Sequence, residues 1–177
     1  MTETPRHDGP FEIIAPCATD APEVSVLWCA SIERLCVRDH QGRPDILRAW
    51  TENKTPEHLS AAFTDPTLTW RAARHGPSGA IAGVGLLGPE GIIRAVYVHP
   101  AFVGQGVGGL LLQILERAAI AAGHDAVTLE STETGHGFYQ AHGYVQTGPA
   151  VGCFGVPARP MRKALSPTDP QSGRSAS

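Results

Sequence analysis

Residues 104–109 read GQGVGG, and the leucine-rich run LLLQIL follows at once. Four glycines in six positions strip most Cβ atoms from a short stretch of backbone, which frees it for positive φ and for close approach to a ligand. Several amide N–H groups can then face one concavity. A helix starting inside the run adds its own unpaired N–H groups and the positive end of its dipole. The chemistry on offer is an anion cradle, best matched to a phosphate or pyrophosphate. Gly104, Gly106 and Gly109 also spell G-x-G-x-x-G, the fingerprint of dinucleotide-binding folds. That reading fits poorly. His99 to Val103 separate the preceding strand from the first glycine, and about a hundred residues come before the loop. Glu130, the nearest match to a ribose-binding acid, stands twenty-six residues after Gly104, where about twenty are wanted. No G-K-[ST] follows, so a Walker loop is excluded.

The elements that must hold this loop follow from hydrophobic periodicity and turn residues. GIIRAVYV is a strand that ends at Val98, and Pro100 stops it. A helix is expected from Val107, with Val107, Leu111, Ile114, Leu115, Ala118 and Ala122 buried and Gly123 as its C-terminal cap. DAVTLES reads as a strand and TGHGFYQAHG as a short helix ended by Gly143. YVQTG and RPMRKAL read as closing strands. Upstream, FEIIAP is a strand and TDAPEVSVLWCASIERLCVRDH one helix, with Thr19 or Asp20 as its cap. Its inward face is Val24, Leu27, Trp28, Ile32, Leu35 and Cys36. PDILRAWTEN and PEHLSAAF are shorter helices opened by Pro44 and Pro56, and TLTWRAAR and GAIAGVGLLG are strands joined by the turn HGPSG. Short links early imply antiparallel pairs, and helical links later imply parallel or mixed ones. The fold class expected is α/β (α+β): a mixed, mostly antiparallel sheet with helices on both faces.

A chain of 177 residues suits one domain. That domain is expected over 11–165, between two tails, 1–10 and 166–177, whose Pro, Ser and Thr content predicts disorder. A net charge of −3 supplies no basic field for nucleic acid. No apolar run reaches the roughly 18–20 residues that cross a bilayer, and MTETPRHDGP lacks the apolar core of a signal peptide. The expectation is a cytoplasmic protein with neither nucleic acid nor membrane as partner. Cys17, Cys29, Cys36 and Cys153 form no C-x-x-C pair, so no metal site is expected. Cys29 and Cys36, seven apart, read as small buried hydrophobes. An exposed last strand would offer its edge to a second copy, which keeps a homodimer in view.

VYVHPAFVGQGVGGLLL, followed some thirty residues later by GFYQAHGY, resembles the GCN5-related N-acetyltransferases. Their acetyl-CoA motif runs strand, V-x-P, a [QR]-x-x-G-x-[GA] loop, then a helix, and their next motif is F-Y-x-x-x-G-[FY]. Here Val98-His99-Pro100, Val103 to Gly108, Phe138-Tyr139 and Gly143-Tyr144 carry the match. The similarity covers roughly Ala80 to Gly148. One position departs: Val103 stands where the family usually has Gln or Arg, which leaves the grip on the phosphates to backbone amides alone or to groups elsewhere.

The resemblance implies a single reaction, acetyl transfer from acetyl-CoA to an amine by direct attack in a ternary complex. Acetyl-CoA is then the co-substrate, and a small-molecule or peptide amine is the acceptor. Its pyrophosphate is expected on Gly104, Gln105, Gly106, Val107, Gly108 and Gly109. Its amide-rich arm would lie along Val96, Tyr97 and Val98, where the family's central strands splay apart, with a strand amide near Val98 facing the thioester oxygen. Tyr139 is the expected general acid, because a phenol with a pKa near 10 keeps its proton at neutral pH for the departing thiolate. Glu130 is the candidate base, ahead of His99, Glu133 and His136. Asp39, His40 and Arg43 form either part of the acceptor wall or a solvated loop. Two other readings stay open: an acyl-CoA-binding sensor without transfer activity, and a dinucleotide-binding oxidoreductase.

Overall fold

A computed structural model describes residues 9–166, so the two expected tails lie outside it but for Gly9, Pro10 and Ser166. Strand β1 (Phe11–Ile14) leads to helix α1 (Ala21–Leu35), the single turn α2 (Val37–His40), α3 (Pro44–Thr51) and α4 (Pro56–Phe63). Proline in the first turn opens α1, α3 and α4, where its missing N–H has no helical acceptor to lose. Next come β2 (Thr69–His75), β3 (Ile81–Leu87), β4 (Ile93–Val98), α5 (Val107–Ala121), β5 (Ala126–Ser131) and α6 (Glu133–Ala141). The chain closes with β6 (Val145–Gln146), β7 (Val151–Cys153) and β8 (Val156–Ala164).

The strands form two antiparallel sheets, β1-β2-β3-β4 and β5-β8-β6, with β7 paired to β8. They meet at one parallel bridge, Ile92 to Thr128, where the Thr128 N–H donates to Gly91 O at 3.1 Å. Immediately after it the β3–β4 register skips Arg94. An extra residue on one strand bends it, and from here β4 and β5 part. The splay implied by the family resemblance is present.

Helix α5 covers one face of this junction. It sits close because Gly83 and Gly85 carry no side chain: a Cβ there would lie 2.7 Å from Val107 Cγ1 and 2.9 Å from Leu115 Cδ1. Its buried residues are Val107, Leu111, Leu112, Leu115 and Ala119. The expected Ile114 and Ala118 are half-buried and Ala122 is exposed. The stripe is rotated because Leu112 and Ala119 pack toward Val127, Leu129 and Met161 of the second sheet. The opposite face is covered by α1, α3 and α4, whose Trp28 and Trp50 pack into one core with Trp70.

Three expectations are corrected. The long first helix breaks at Cys36 (φ −94, ψ 29), because Asp39 in the following turn is drawn to the start of α6. Cys36 is buried while Cys29 is half-buried, so their spacing does not put both inside. The last strand offers no free edge, since β8 lies between β5 and β6. The β7–β8 hairpin went unread. Its turn residues, Phe154 and Gly155, take φ 50 and 82, and phenylalanine is an uncommon signal for that conformation. No helix among the described residues is long and apolar enough to cross a membrane.

Candidate active site

The parting of β4 from β5 opens a cleft of about 650 Å³. Val96, Tyr97 and Val98 line it on one side and Glu130 on the other. β4 is hydrogen-bonded to β3 along its inner edge, and the His99 N–H reaches Ala82 O at 2.8 Å. With alternation along the strand, the N–H and C=O groups of Val96 and Val98 face the cleft.

At the end of β4, Pro100–Phe102 make a single 3-10 turn that His99 caps through its Nδ1, accepting from the Ala101 N–H at 3.1 Å. Gly104 and Gly106 then take φ 79 and 80, and no atom lies within 4 Å of where a Cβ would stand on either. That left-handed conformation is the one glycine adopts without strain. The first helical bond runs from the Leu110 N–H to Gly106 O at 3.0 Å. The N–H groups of Gly104, Gly106, Val107, Gly108 and Gly109 have no acceptor among the described residues, and all five residues line the cleft. Gln105 is a correction. Its N–H donates to Phe102 O at 3.4 Å and its Nε2 to Ala101 O at 3.2 Å, so it is turned back on the loop and does not line the cleft. Gly108 and Gly109 also let α6 approach, since a Cβ would lie 3.3 Å from Phe138 and 3.0 Å from His142 Nε2.

Helix α6 carries Tyr139 into the same cleft. Its start is fixed from far away: the Asp39 carboxylate accepts from the Glu133 N–H at 2.8 Å and the Thr134 N–H at 3.3 Å. Its end is held through Tyr144. The Tyr144 ring packs 5.6 Å from that of Tyr139, and its hydroxyl donates to Glu116 at 2.9 Å. Lys163 pairs with the same carboxylate at 2.8 Å. Burial holds the Tyr139 phenol above its ordinary ionisation range, with Tyr97 and Cys36 adding to the effect. The same burial pushes the Cys36 thiol up to about 12.

Among the expected bases only Glu130 lines the cleft, from the exposed face of β5. His99 is engaged in its loop, Glu133 is paired with Arg159, and His136 lies outside the lining with its Nδ1 buried and unbonded. The expectation for Asp39 and His40 is also corrected. Both are buried. Asp39 caps α6, and His40 braces its turn through Glu33 O at 3.2 Å and the Gly42 N–H at 2.9 Å. Arg43 pairs with Asp45 in the open. Trp50, which local sequence pattern does not distinguish from an ordinary helix residue, lines the cleft and donates through Nε1 to the Tyr97 hydroxyl at 3.3 Å.

A sheet split between two parallel strands, with open N–H groups at the end of one and a phenol beside the other, defines a class of proteins that takes a long anionic ligand edge-on. A family model described as an acetyltransferase (GNAT) domain matches residues 31–165. This chain belongs to that family. It is an acetyltransferase, with acetyl-CoA as its co-substrate. No sequence among the curated proteins matches it significantly.

Among solved structures, a GCN5-related N-acetyltransferase from Rhodopseudomonas palustris is 24% identical, with a TM-score of 0.78 over 92% of this chain and 100% of that one. The PaiA N-acetyltransferase from Thermoplasma acidophilum, solved with coenzyme A, is 15% identical, with a TM-score of 0.72 over 88% and 99%. The yncA protein from Salmonella typhimurium, solved with its cofactor acetyl-CoA, is 17% identical, with a TM-score of 0.63 over 94% and 100%. At these identities the likeness is one of fold.

Proposed function

We propose that residues 11–165 form one catalytic domain that transfers acetyl from acetyl-CoA to an amine by direct attack within a ternary complex. The observation that carries this is the set of unpartnered N–H groups at Gly104 and Gly106 to Gly109, opening into the cleft that holds Tyr139. The site fits the co-substrate on its own terms. Five N–H donors and a helix dipole match a pyrophosphate. The free edge of β4 matches an extended chain bearing amides. Val103 is exposed and has no side-chain donor, so backbone groups supply the phosphate grip.

Within that complex each residue has a separable task. The Val98 N–H faces the cleft and is placed to stabilise the thioester oxygen as negative charge gathers on it. Glu130 takes a proton from the incoming ammonium, directly or through water, which frees the lone pair that attacks. As the C–N bond forms and the C–S bond breaks, Tyr139 gives its proton to the thiolate, and the surplus proton on the new amide nitrogen passes to the phenolate, directly or through water. The phenol's raised pKa keeps that proton in place until it is needed. A doubly wound parallel sheet, which the dinucleotide reading requires, is not what this chain builds. The sensor reading is disfavoured by a phenol and a carboxylate standing in the cleft.

A thiol-release assay over a panel of amines, with acetyl-CoA held saturating, tests the proposal. CoA release that depends on the amine is expected. Acetyl-CoA binding with no release for any amine would leave a sensor. Thermal stabilisation by NAD but not by acetyl-CoA would overturn the ligand itself.

A further inference from the structure

The two walls of the cleft differ in character, and the wall away from α5 carries information about the acceptor. Trp50 and Tyr97 line it, with Leu35 and Cys36 beside them. Behind this surface the aromatic layer continues. Trp28 packs 5.0 Å from the Tyr97 ring, and Phe154 stacks on Trp50 at 6.5 Å and 13°. Phe154 reaches Trp50 from the tip of the β7–β8 hairpin while holding φ 50, a conformation that costs a non-glycine residue free energy and that these contacts must hold.

Into this layer the chain inserts a cation. Lys54 is 8% exposed, and its Nζ lies 5.1 Å from the Trp28 ring and 5.2 Å from the Phe154 ring. Asn53 Oδ1 is its hydrogen-bond partner, and among the described residues no carboxylate pairs with it. Trp28 Nε1 is buried with no acceptor at full hydrogen-bonding distance among the described residues. The cleft-facing surface of this wall is therefore aromatic and apolar, and the Lys54 ammonium and the Trp28 N–H lie behind it, outside the lining.

Negative charge is correspondingly scarce. Among the described residues Glu130 is the one carboxylate lining the cleft, while Asp39 and Glu133 are committed elsewhere. A single carboxylate serves a single ammonium, the one that reacts. A second positive charge on the acceptor would find no second carboxylate in the lining and would be repelled by the Lys54 ammonium behind the aromatic layer. The cleft must also take the arm of the co-substrate within its 650 Å³, which limits the part of the acceptor that enters it.

We infer that the acceptor is a monoamine with an apolar or aromatic body, and that Lys54 excludes acceptors carrying a second positive charge. This rests on the acetyltransferase reading above. Trp50 and Tyr97 receive the apolar body, Glu130 receives the ammonium, and Lys54 acts from behind the aromatic layer as a selectivity residue.

The test compares phenethylamine, tryptamine, cadaverine, spermidine and a lysine-containing peptide as acceptors for the full chain, by CoA release. The kcat/KM for the two arylalkylamines should exceed that for spermidine by at least about tenfold, as expected when one unpaired charge is rejected. Trp50→Leu should raise KM for tryptamine about fivefold or more, with KM for acetyl-CoA unmoved. Lys54→Met should narrow the gap between phenethylamine and cadaverine. If Lys54→Met does not fold, Phe154→Leu, which loosens the layer holding Lys54, should narrow it in the same direction. Preference for spermidine or the peptide would overturn the inference and leave the acetyltransferase reading standing. Acetyl-CoA binding without release for any acceptor would overturn both.

Discussion

Two helices begin at the mouth of the cleft, and their first turns are completed in opposite ways. At the start of α6 the chain supplies its own anion: Asp39, ninety-four residues upstream, bonds the Glu133 and Thr134 N–H groups. At the start of α5 it supplies none, and the N–H groups from Gly106 to Gly109 stay open. Both helices offer the same donors and the same dipole end. The closed junction fixes a helix, and the open one leaves a site. The composition of the two loops agrees with this division. Gly104 and Gly106 face space in which a Cβ would meet nothing, whereas Thr132, the cap residue of α6, is extended and ordinary (φ −69, ψ 170). One junction therefore positions Tyr139, while the other is the proposed seat of the co-substrate.

The contrast can be broken at the open junction first. Gly106→Val places a branched side chain at φ 80, which costs about 1–3 kcal/mol or reorients the donors. Acetyl-CoA affinity should fall by about tenfold to a hundredfold, read by calorimetric titration. Tyr139→Phe should lower kcat at least about tenfold with acetyl-CoA affinity nearly unchanged, if the proposed division holds, with the proton assigned to Tyr139 and the phosphate to the loop. Unchanged turnover would remove Tyr139 from the mechanism.

The closed junction should behave differently. Asp39→Ala removes a helix cap worth about 1–2 kcal/mol, which should appear as a lower Tm. It should also lower kcat a few-fold through Tyr139, with acetyl-CoA affinity spared. Equal losses in acetyl-CoA affinity at Asp39 and Gly106 would erase the distinction between the junctions.

The smallest expected effect is a flat line. Burial raises the Tyr139 pKa, so its proton-bearing form persists to higher pH than in a free phenol, and any loss of the acid is moved upward. Turnover should show no decline attributable to the phenol between about pH 7 and pH 9.5. A decline in that window that Tyr139→Phe abolishes would contradict the burial argument.

Much of the open junction is legible in sequence because its physics is local. A glycine run after a strand and before a leucine-rich helix states its geometry within a few residues, whereas Phe138-Tyr139 with Gly143-Tyr144 is legible only through the family resemblance. The closed junction is not legible, because its decisive contact joins Asp39 to Glu133. Nothing within the segment around Asp39 distinguishes a distant cap from a solvated loop, and the same contact breaks a helix whose local periodicity runs on. The acceptor wall was hidden for a related reason. Trp50, Phe154 and Lys54 come from a helix, a hairpin tip and a loop, and each alone reads as core or surface. Gln105 marks the limit of motif reading even in the legible region, since its position within the glycine run says nothing of where its side chain turns.

The most direct measurement follows the backbone amides of the loop itself. In an NMR titration with acetyl-CoA, the N–H resonances of Gly104, Gly106, Gly108 and Gly109 should move strongly while those of Glu133 and Thr134, held by Asp39, move little. Saturating acetyl-CoA that leaves the four glycine resonances in place would contradict the assignment of the open junction as the phosphate site.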